Sequence, residues 1–304
     1  MSNFLIIFLC LVFGYLLRYF NITKKDGHLS INSWVIYVGL PAVALKYIPQ
    51  IEWELAYLYT ALLPILCFSL SYIFFSILNR WTNFSKRTLN TIIIVAGLSN
   101  TSFIGFPLVS TFYGQDYLKV AIVSDQVTFF TLSFLGVFLA TSSQDVFISN
   151  RQKYTYIAKR LLQFPPLIAC IVALFFSKFL IHKEFVIIFD SFAATVSPLA
   201  LFSIGMQLNF QRINKEIIAL TYGVLFKIVM VPIIFILLFY FLGLHGVFFK
   251  VSIFEMALPC LVSSSIIIEK FGLNSKLANS LIGFSILFGL LIIYVWYSVM
   301  NTLL

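Results

Sequence analysis

Apolar residues run through this sequence in long, almost unbroken stretches separated by short polar segments. Ten stretches approach the roughly 20 residues that a helix needs to cross a bilayer core. They cover 3–20, 30–48, 54–78, 88–112, 117–140, 157–177, 185–206, 216–241, 246–268 and 277–300. A transmembrane β-barrel would show short segments of alternating polarity instead. The pattern predicts an all-α polytopic membrane protein with ten transmembrane helices.

Composition narrows the class further. Of 304 residues, 61% are hydrophobic and only 10% charged, against about 25% charged in soluble domains. Mean hydropathy is +1.01. Eleven acidic and 20 basic residues could not cover the surface of a soluble fold this size, which excludes an ordinary soluble enzyme, a nucleic-acid-binding protein and a disordered chain. The net charge of +9 is therefore read as a topology signal. With cations at span ends assigned to the adjoining loop, fourteen of the 20 lysines and arginines belong to the odd-numbered loops and five to the even ones, and Lys227 lies deep inside a span. Lysine and arginine accumulate on the cytoplasmic side, so the odd loops are expected there and both termini outside. Arg18 follows the first apolar stretch and no cation precedes it, unlike a secretory signal peptide. Cys10, Cys67, Cys170 and Cys260 all sit in apolar runs without metal-ligand spacing and read as free thiols.

The longest polar loop, 141–156, divides the chain into 1–140 and 157–304, each with five spans. An odd number per half inverts the second half in the membrane, as in transporters built from inverted repeats. Prolines fall in corresponding spans of the two halves: Pro41 and Pro198, Pro64 and Pro232, Pro107 and Pro259. Proline is common in membrane helices, so this pattern alone does not decide the matter. Spans four and nine carry small and polar residues beside a proline: Gly97 to Pro107 in one, Glu255 to Ser265 in the other. Proline removes an intrahelical hydrogen bond, and groups freed within hydrocarbon must be satisfied by protein, water or ligand. Two such breaks in matching spans predict discontinuous, crossing helices 4 and 9 around a central site.

At these residues the chain resembles the auxin efflux carrier family, which includes plant auxin exporters and bacterial malonate-type carboxylate transporters. The resemblance rests on Gly39-Leu40-Pro41-Ala42, Asn100-Thr101-Ser102-Phe103-Ile104-Gly105-Phe106-Pro107 and Ala257-Leu258-Pro259. It extends over essentially the whole chain. It implies the fold of the bile-acid sodium symporters, an organic-anion substrate, and a site lined or shaped by Asn100, Pro107 and Pro259. A homodimer is compatible with the family, although the sequence does not itself carry one. Two departures stand out. Glu255 replaces the plainer small-residue sequence typical before the span-nine proline, and the long central hydrophilic loop of plant members is absent. The short loop fits the bacterial branch, hence a bacterial inner membrane, and makes auxin a poor substrate.

Ionisable residues inside membrane spans are costly and mark candidate sites. Lys227 lies too deep to reach the interface; it is a partner for the substrate anion or a coupling switch, or else a structural partner of Asp125 or Glu255. Asp125 either takes a proton or sodium ion or is a satisfied interior acid. Glu255, one turn before Pro259, is a candidate for the coupling proton, although an ionised carboxylate there would repel an anionic substrate. Asp190 is read as interfacial. Asn100, Thr101, Ser102, Ser263 and Ser264, with Ser265, offer neutral hydrogen-bond partners for a carboxylate, or simply link helices. The functional expectation is a secondary active transporter of a small organic anion, working by alternating access on a proton or sodium gradient. No Walker A loop is present. An enzyme is disfavoured: His28, His182 and His245 lie in or near loops and form no metal motif. The alternative is a membrane sensor or receptor that binds a small solute without transporting it.

Overall fold

The computed structural model describes residues 2–24, 26–142, 150–177, 182–207 and 216–304. Lys25, Lys178, Arg212 and Lys215, used above for orientation, lie outside these residues, as does 143–149 of the central loop. Regular structure is helical throughout the described residues, apart from one isolated antiparallel bridge between Ser99 and Cys260.

Among the described residues, six helices are long and apolar enough to cross a bilayer: Gly27–Gln50, Ala56–Thr82, Gln115–Thr141, Glu184–Gln207, Ile217–Phe241 and Ser275–Leu303. A seventh crossing results if Arg151–Leu162 and Pro165–Phe175 form one span bent by 61°. The bend falls at Phe164, whose backbone is extended because Pro165 follows it. The other apolar stretches are shorter or interrupted. The first forms Ile6–Tyr19. The fourth divides into Lys86–Ala96 and Thr101–Phe112, and the ninth into Val247–Ala257 and Ser264–Lys270. The ten stretches read from hydropathy thus become six whole helices and four that are short, bent or interrupted. Hydropathy averages over a window, and so passes over a break of a few residues.

Other prolines are absorbed without a break. Three of the four π-helical turns among the described residues end two residues before a proline: Val35–Gly39 before Pro41, Thr101–Gly105 before Pro107, and Phe226–Met230 before Pro232. Proline has no N–H to give the carbonyl four residues back, and widening the turn spreads that mismatch over several residues. In the third case the carbonyl of Ile228, four before Pro232, accepts instead from Trp296 Nε1 at 2.8 Å.

The chain forms two compact units. The first comprises 1–54, 102–122 and 161–208. Its closest packing joins Ser2–Tyr19 to Val196–Gln207. A Cβ on Gly14 would collide with the carbonyl oxygen of Phe202, and one on Gly205 with that of Leu11. Small residues permit this backbone approach, which stabilises helix pairs where lipid supplies no hydrophobic drive. Trp34 Nε1 donates to Thr195 Oγ1 at 3.0 Å in the same unit.

The second unit comprises 55–101, 123–160 and 209–304. Ala56–Thr82 shows its logic. Leu58, Leu62, Leu66, Ile73 and Ile77 are exposed along one face, while Thr60, Cys67 and Ser71 are buried on the other. The polar groups inside are paired: Thr60 with Ser252 at 2.6 Å, and Ser71 Oγ donating to Ile93 O at 3.0 Å. One end of this unit gathers several loop residues. Asn274 Nδ2 donates to Glu216 Oε1 at 2.8 Å, its backbone N–H donates to Thr91 Oγ1 at 3.1 Å, and the Lys270 ammonium sits 3.7 Å from the Tyr156 ring centroid.

The Gly14–Phe202 approach leaves no room for a side chain. Gly14→Val should destabilise the protein by about 1–3 kcal/mol through overpacking, read as a lower melting temperature of the purified protein. An unchanged melt would show that the helices do not approach at Gly14.

Candidate functional site

The site grows from two places where a helix stops inside an apolar run. Lys86–Ala96 ends at Gly97, and Leu98-Ser99-Asn100 follows without helical structure before Thr101. Glycine, serine and asparagine are weak helix formers that favour termini and turns. Val247–Ala257 ends because Pro259 forces Leu258 into an extended backbone, at φ −67° and ψ 157°. The two interrupted segments run antiparallel against each other. Asn100 N–H donates to Pro259 O at 2.9 Å, and Leu261 N–H donates to Leu98 O at 3.0 Å. Cys260 N–H, between them, donates to Ser285 Oγ at 3.0 Å. The groups freed by each break are thus largely satisfied by the other break and by Ser275–Leu303. That helix makes room at Gly289, where a Cβ would lie 2.8 Å from Pro259 Cγ.

Lys227 lies directly at this pairing. It is fully buried, in the π-helical turn Phe226–Met230. Its Nζ donates to Ser99 Oγ at 2.6 Å, to Met256 O at 3.2 Å and to Cys67 Sγ at 3.9 Å. Ser99 Oγ in turn donates to Met256 O at 3.3 Å. Lys227 is therefore held by the ends of both interrupted helices. It makes no hydrogen bond with Glu255, one of the two structural partners considered from sequence, because both Glu255 carboxyl oxygens lack a hydrogen-bond partner within the protein.

The acidic side of the site lies close by. Thr101 Oγ1 donates to Asp125 Oδ1 at 2.7 Å, and Gln126 Nε2 reaches Asp125 Oδ2 at 3.4 Å. Glu255 is fully buried and near enough to Asp125 for their charges to interact. Asn100 is buried too, and neither atom of its side-chain amide has a hydrogen-bond partner within the protein. The same holds for the hydroxyls of Ser124 and Thr128, which flank Asp125 on its helix. Each buried polar group left without a partner costs about 1–3 kcal/mol. Several of them beside a helix break form a place suited to a polar ligand, a proton or a cation.

The second unit thus brings together Asn100, Thr101, Asp125, Lys227, Glu255 and Pro259. Ser263 and Ser264 follow the second break, where Ser264 Oγ donates to Leu261 O at 2.6 Å and so closes its own turn. Ser102 and Pro107 belong to the first unit. Pro107 lines a cavity there of about 370 Å3, together with Tyr47, Gln115, Pro198 and the ion pair of Lys46 with Asp190. Asp190 is exposed. Sequence reasoning passed over Ser99, the Met256 carbonyl, Cys67, Ser124, Thr128 and Ser285. A polar cluster at 124–128 was visible in the sequence, whereas the partners of Lys227 and Cys260 come from distant segments. Among the described residues, no group of three or more histidine, cysteine, aspartate or glutamate side chains could hold a metal ion.

The chain matches the membrane transport protein family over residues 1–297. It is 24% identical over 306 residues to an uncharacterized transporter of Methanocaldococcus jannaschii, covering 97% of each chain. It is 22% identical over 289 residues to an uncharacterized transporter of Methanothermobacter thermautotrophicus, covering 93% of this chain and 92% of the other. A match over nearly the full length settles membership: the chain belongs to the membrane transport protein family, that of the auxin efflux carriers, and is a polytopic membrane transporter rather than an enzyme.

Proposed function

We propose that the protein is a secondary active transporter of a small organic anion, most simply a carboxylate, working by alternating access on a proton or sodium gradient. The observation that carries this reading is the buried Asn100 amide, held at the paired breaks with no partner of its own. A neutral amide can donate to a carboxylate and release it again, which tight ionic contacts would hinder. Thr101 and Ser102 open the helix Thr101–Phe112, whose N-terminal end favours negative charge. Ser263, Ser264 and Pro259 complete the substrate-binding set in the second unit, and Lys227 contributes positive potential there. Asp125 and Glu255 carry the coupling ion.

On this reading the short first, the bent sixth and the interrupted fourth and ninth stretches all count as spans, giving ten. They are arranged as two inverted five-helix repeats, 1–140 and 157–304, joined by the cytoplasmic linker 141–156. Helices 4 and 9 cross at the paired breaks. The antiparallel hydrogen bonds between 98–100 and 259–261 support this arrangement. The gathering of Thr91, Tyr156, Glu216, Lys270 and Asn274 at one end supports odd-numbered loops on a common side. Their excess of lysine and arginine makes that side cytoplasmic, with both termini outside a bacterial inner membrane.

Reconstituted vesicles given labelled mono- and dicarboxylates should accumulate at least one of them when a proton or sodium gradient is imposed, and not otherwise. Saturable binding without gradient-dependent flux would favour the sensor or receptor instead. Asn100→Ala should weaken substrate binding about 10- to 100-fold, the value of one or two lost hydrogen bonds in a desolvated site, and leave the melting temperature unchanged or higher. Equal affinity in the variant would remove Asn100 from the site. Glu255→Gln should abolish gradient-driven accumulation while preserving exchange of substrate across the membrane. Loss of both would make Glu255 a binding residue and not a coupling one.

A further inference from the structure

Lys227 is the one site residue whose chemistry the transport reading leaves largely unused. A lysine ammonium carries three donors and no acceptor. At Lys227 those donors meet three acceptors: Ser99 Oγ at 2.6 Å, Met256 O at 3.2 Å and Cys67 Sγ at 3.9 Å. Its donors are therefore taken up inside the protein. Lys227 is also fully buried, near the middle of the helix Ile217–Phe241. Burying a bare ammonium in hydrocarbon is very costly, so something must stabilise the charge here.

The surroundings supply it. Lys86–Ala96 and Val247–Ala257 both end at this point. The C-terminal end of a helix carries a partial negative charge and carbonyl oxygens with no intrahelical donor. Two such ends converge on one place, and Met256 O is one of their freed carbonyls. Ser99, in the segment that follows the first end, supplies a hydroxyl oxygen beside it. Converging carbonyl and hydroxyl oxygens at interrupted helices are the ligand chemistry of a small monovalent cation. Here a covalently attached ammonium occupies that position.

We propose that Lys227 is a tethered cation, a permanent replacement for a metal ion at the paired helix ends. Ion binding at the crossing is thereby built into the chain. The two helix ends stay neutralised with or without substrate, and the position needs no sodium. The consequence for coupling rests on the transporter reading above: sodium is not the driving ion, and the coupling ion is the proton. The consequence for cation binding does not depend on that reading.

The test has two independent arms. In the first, wild-type protein purified in detergent is melted in sodium, lithium and choline chloride at equal ionic strength. A protein that binds a cation in its folded state is stabilised in proportion to the logarithm of cation concentration. The wild type should melt at the same temperature in all three salts up to about 200 mM, far above the range in which a useful site would fill. Lys227→Ala should melt lower in choline and recover at least half of the loss in sodium or methylammonium chloride. Specific stabilisation of the wild type by sodium would overturn the proposal, as would a folded Lys227→Ala protein indifferent to every small cation. Should Lys227→Ala fail to fold, the wild-type comparison decides alone. In the second arm, carboxylate uptake into vesicles under a proton gradient is compared with sodium present and replaced by choline. Equal uptake is expected. Sodium-dependent uptake would overturn the tethered cation and leave the transporter intact. Absence of uptake from all vesicles, with the melting pattern as predicted, would overturn the transporter and leave the tethered cation.

Discussion

Everything in the site depends on one backbone constraint. A chain that stops being helical within an apolar run must find new partners for its N–H and C=O groups, since hydrocarbon offers none. Here two such segments serve each other, through Asn100 N–H to Pro259 O and Leu261 N–H to Leu98 O. Together they place helix ends and a row of polar side chains inside the second unit, with much of the freed backbone paired between them. Gly289 and Ser285 on Ser275–Leu303 complete the arrangement, one by making room for the Pro259 ring and the other by accepting from Cys260.

The charges follow from the same constraint. Two helix C-termini meeting in a low-dielectric interior create a negative region, and Lys227 answers it with its three donors. Asp125 is held by Thr101, the first residue after the break. Glu255 sits one residue before the carbonyl that Lys227 contacts. Backbone geometry thus fixes the positions of one cation and two acids, and the unpartnered Asn100 amide remains available to a ligand. A transporter needs this combination. Fixed charge must be locally satisfied so that the site survives, while some polar capacity stays open so that substrate can enter and leave.

Much of this was legible in the sequence, because lipid forces apolar residues outward in long runs and leaves each polar intrusion conspicuous. Gly97 to Asn100 and Pro259 marked the breaks, and the depth of Lys227 and Glu255 marked them as unusual. Three things were not legible. The exact helical extent of the interrupted stretches was hidden, since a hydropathy window does not register a gap of four residues. The partners of Lys227 were hidden because Ser99, Cys67 and Met256 lie far from it in sequence and are unremarkable in themselves. Pro107 read as part of the break, yet it begins an intact helix after a widened turn and lines a cavity of the first unit.

The pairing of the two breaks is directly measurable because Cys260 already stands opposite Ser99. With bonds on either side from 98 to 261 and from 100 to 259, these two residues form the close, non-hydrogen-bonded type of antiparallel pair. Their spacing of about 4.5 Å between Cα atoms is within the range a disulfide accepts. The decisive variant carries Ser99→Cys, keeps Cys260, and has Cys10, Cys67 and Cys170 replaced by serine. In native membranes a membrane-permeant oxidant should join residues 99 and 260, so that the two halves stay linked after cleavage at a protease site inserted between 142 and 150. Release of the two halves after oxidation, with both thiols shown to be free and reactive once the protein is unfolded, would contradict the paired breaks and the site built on them.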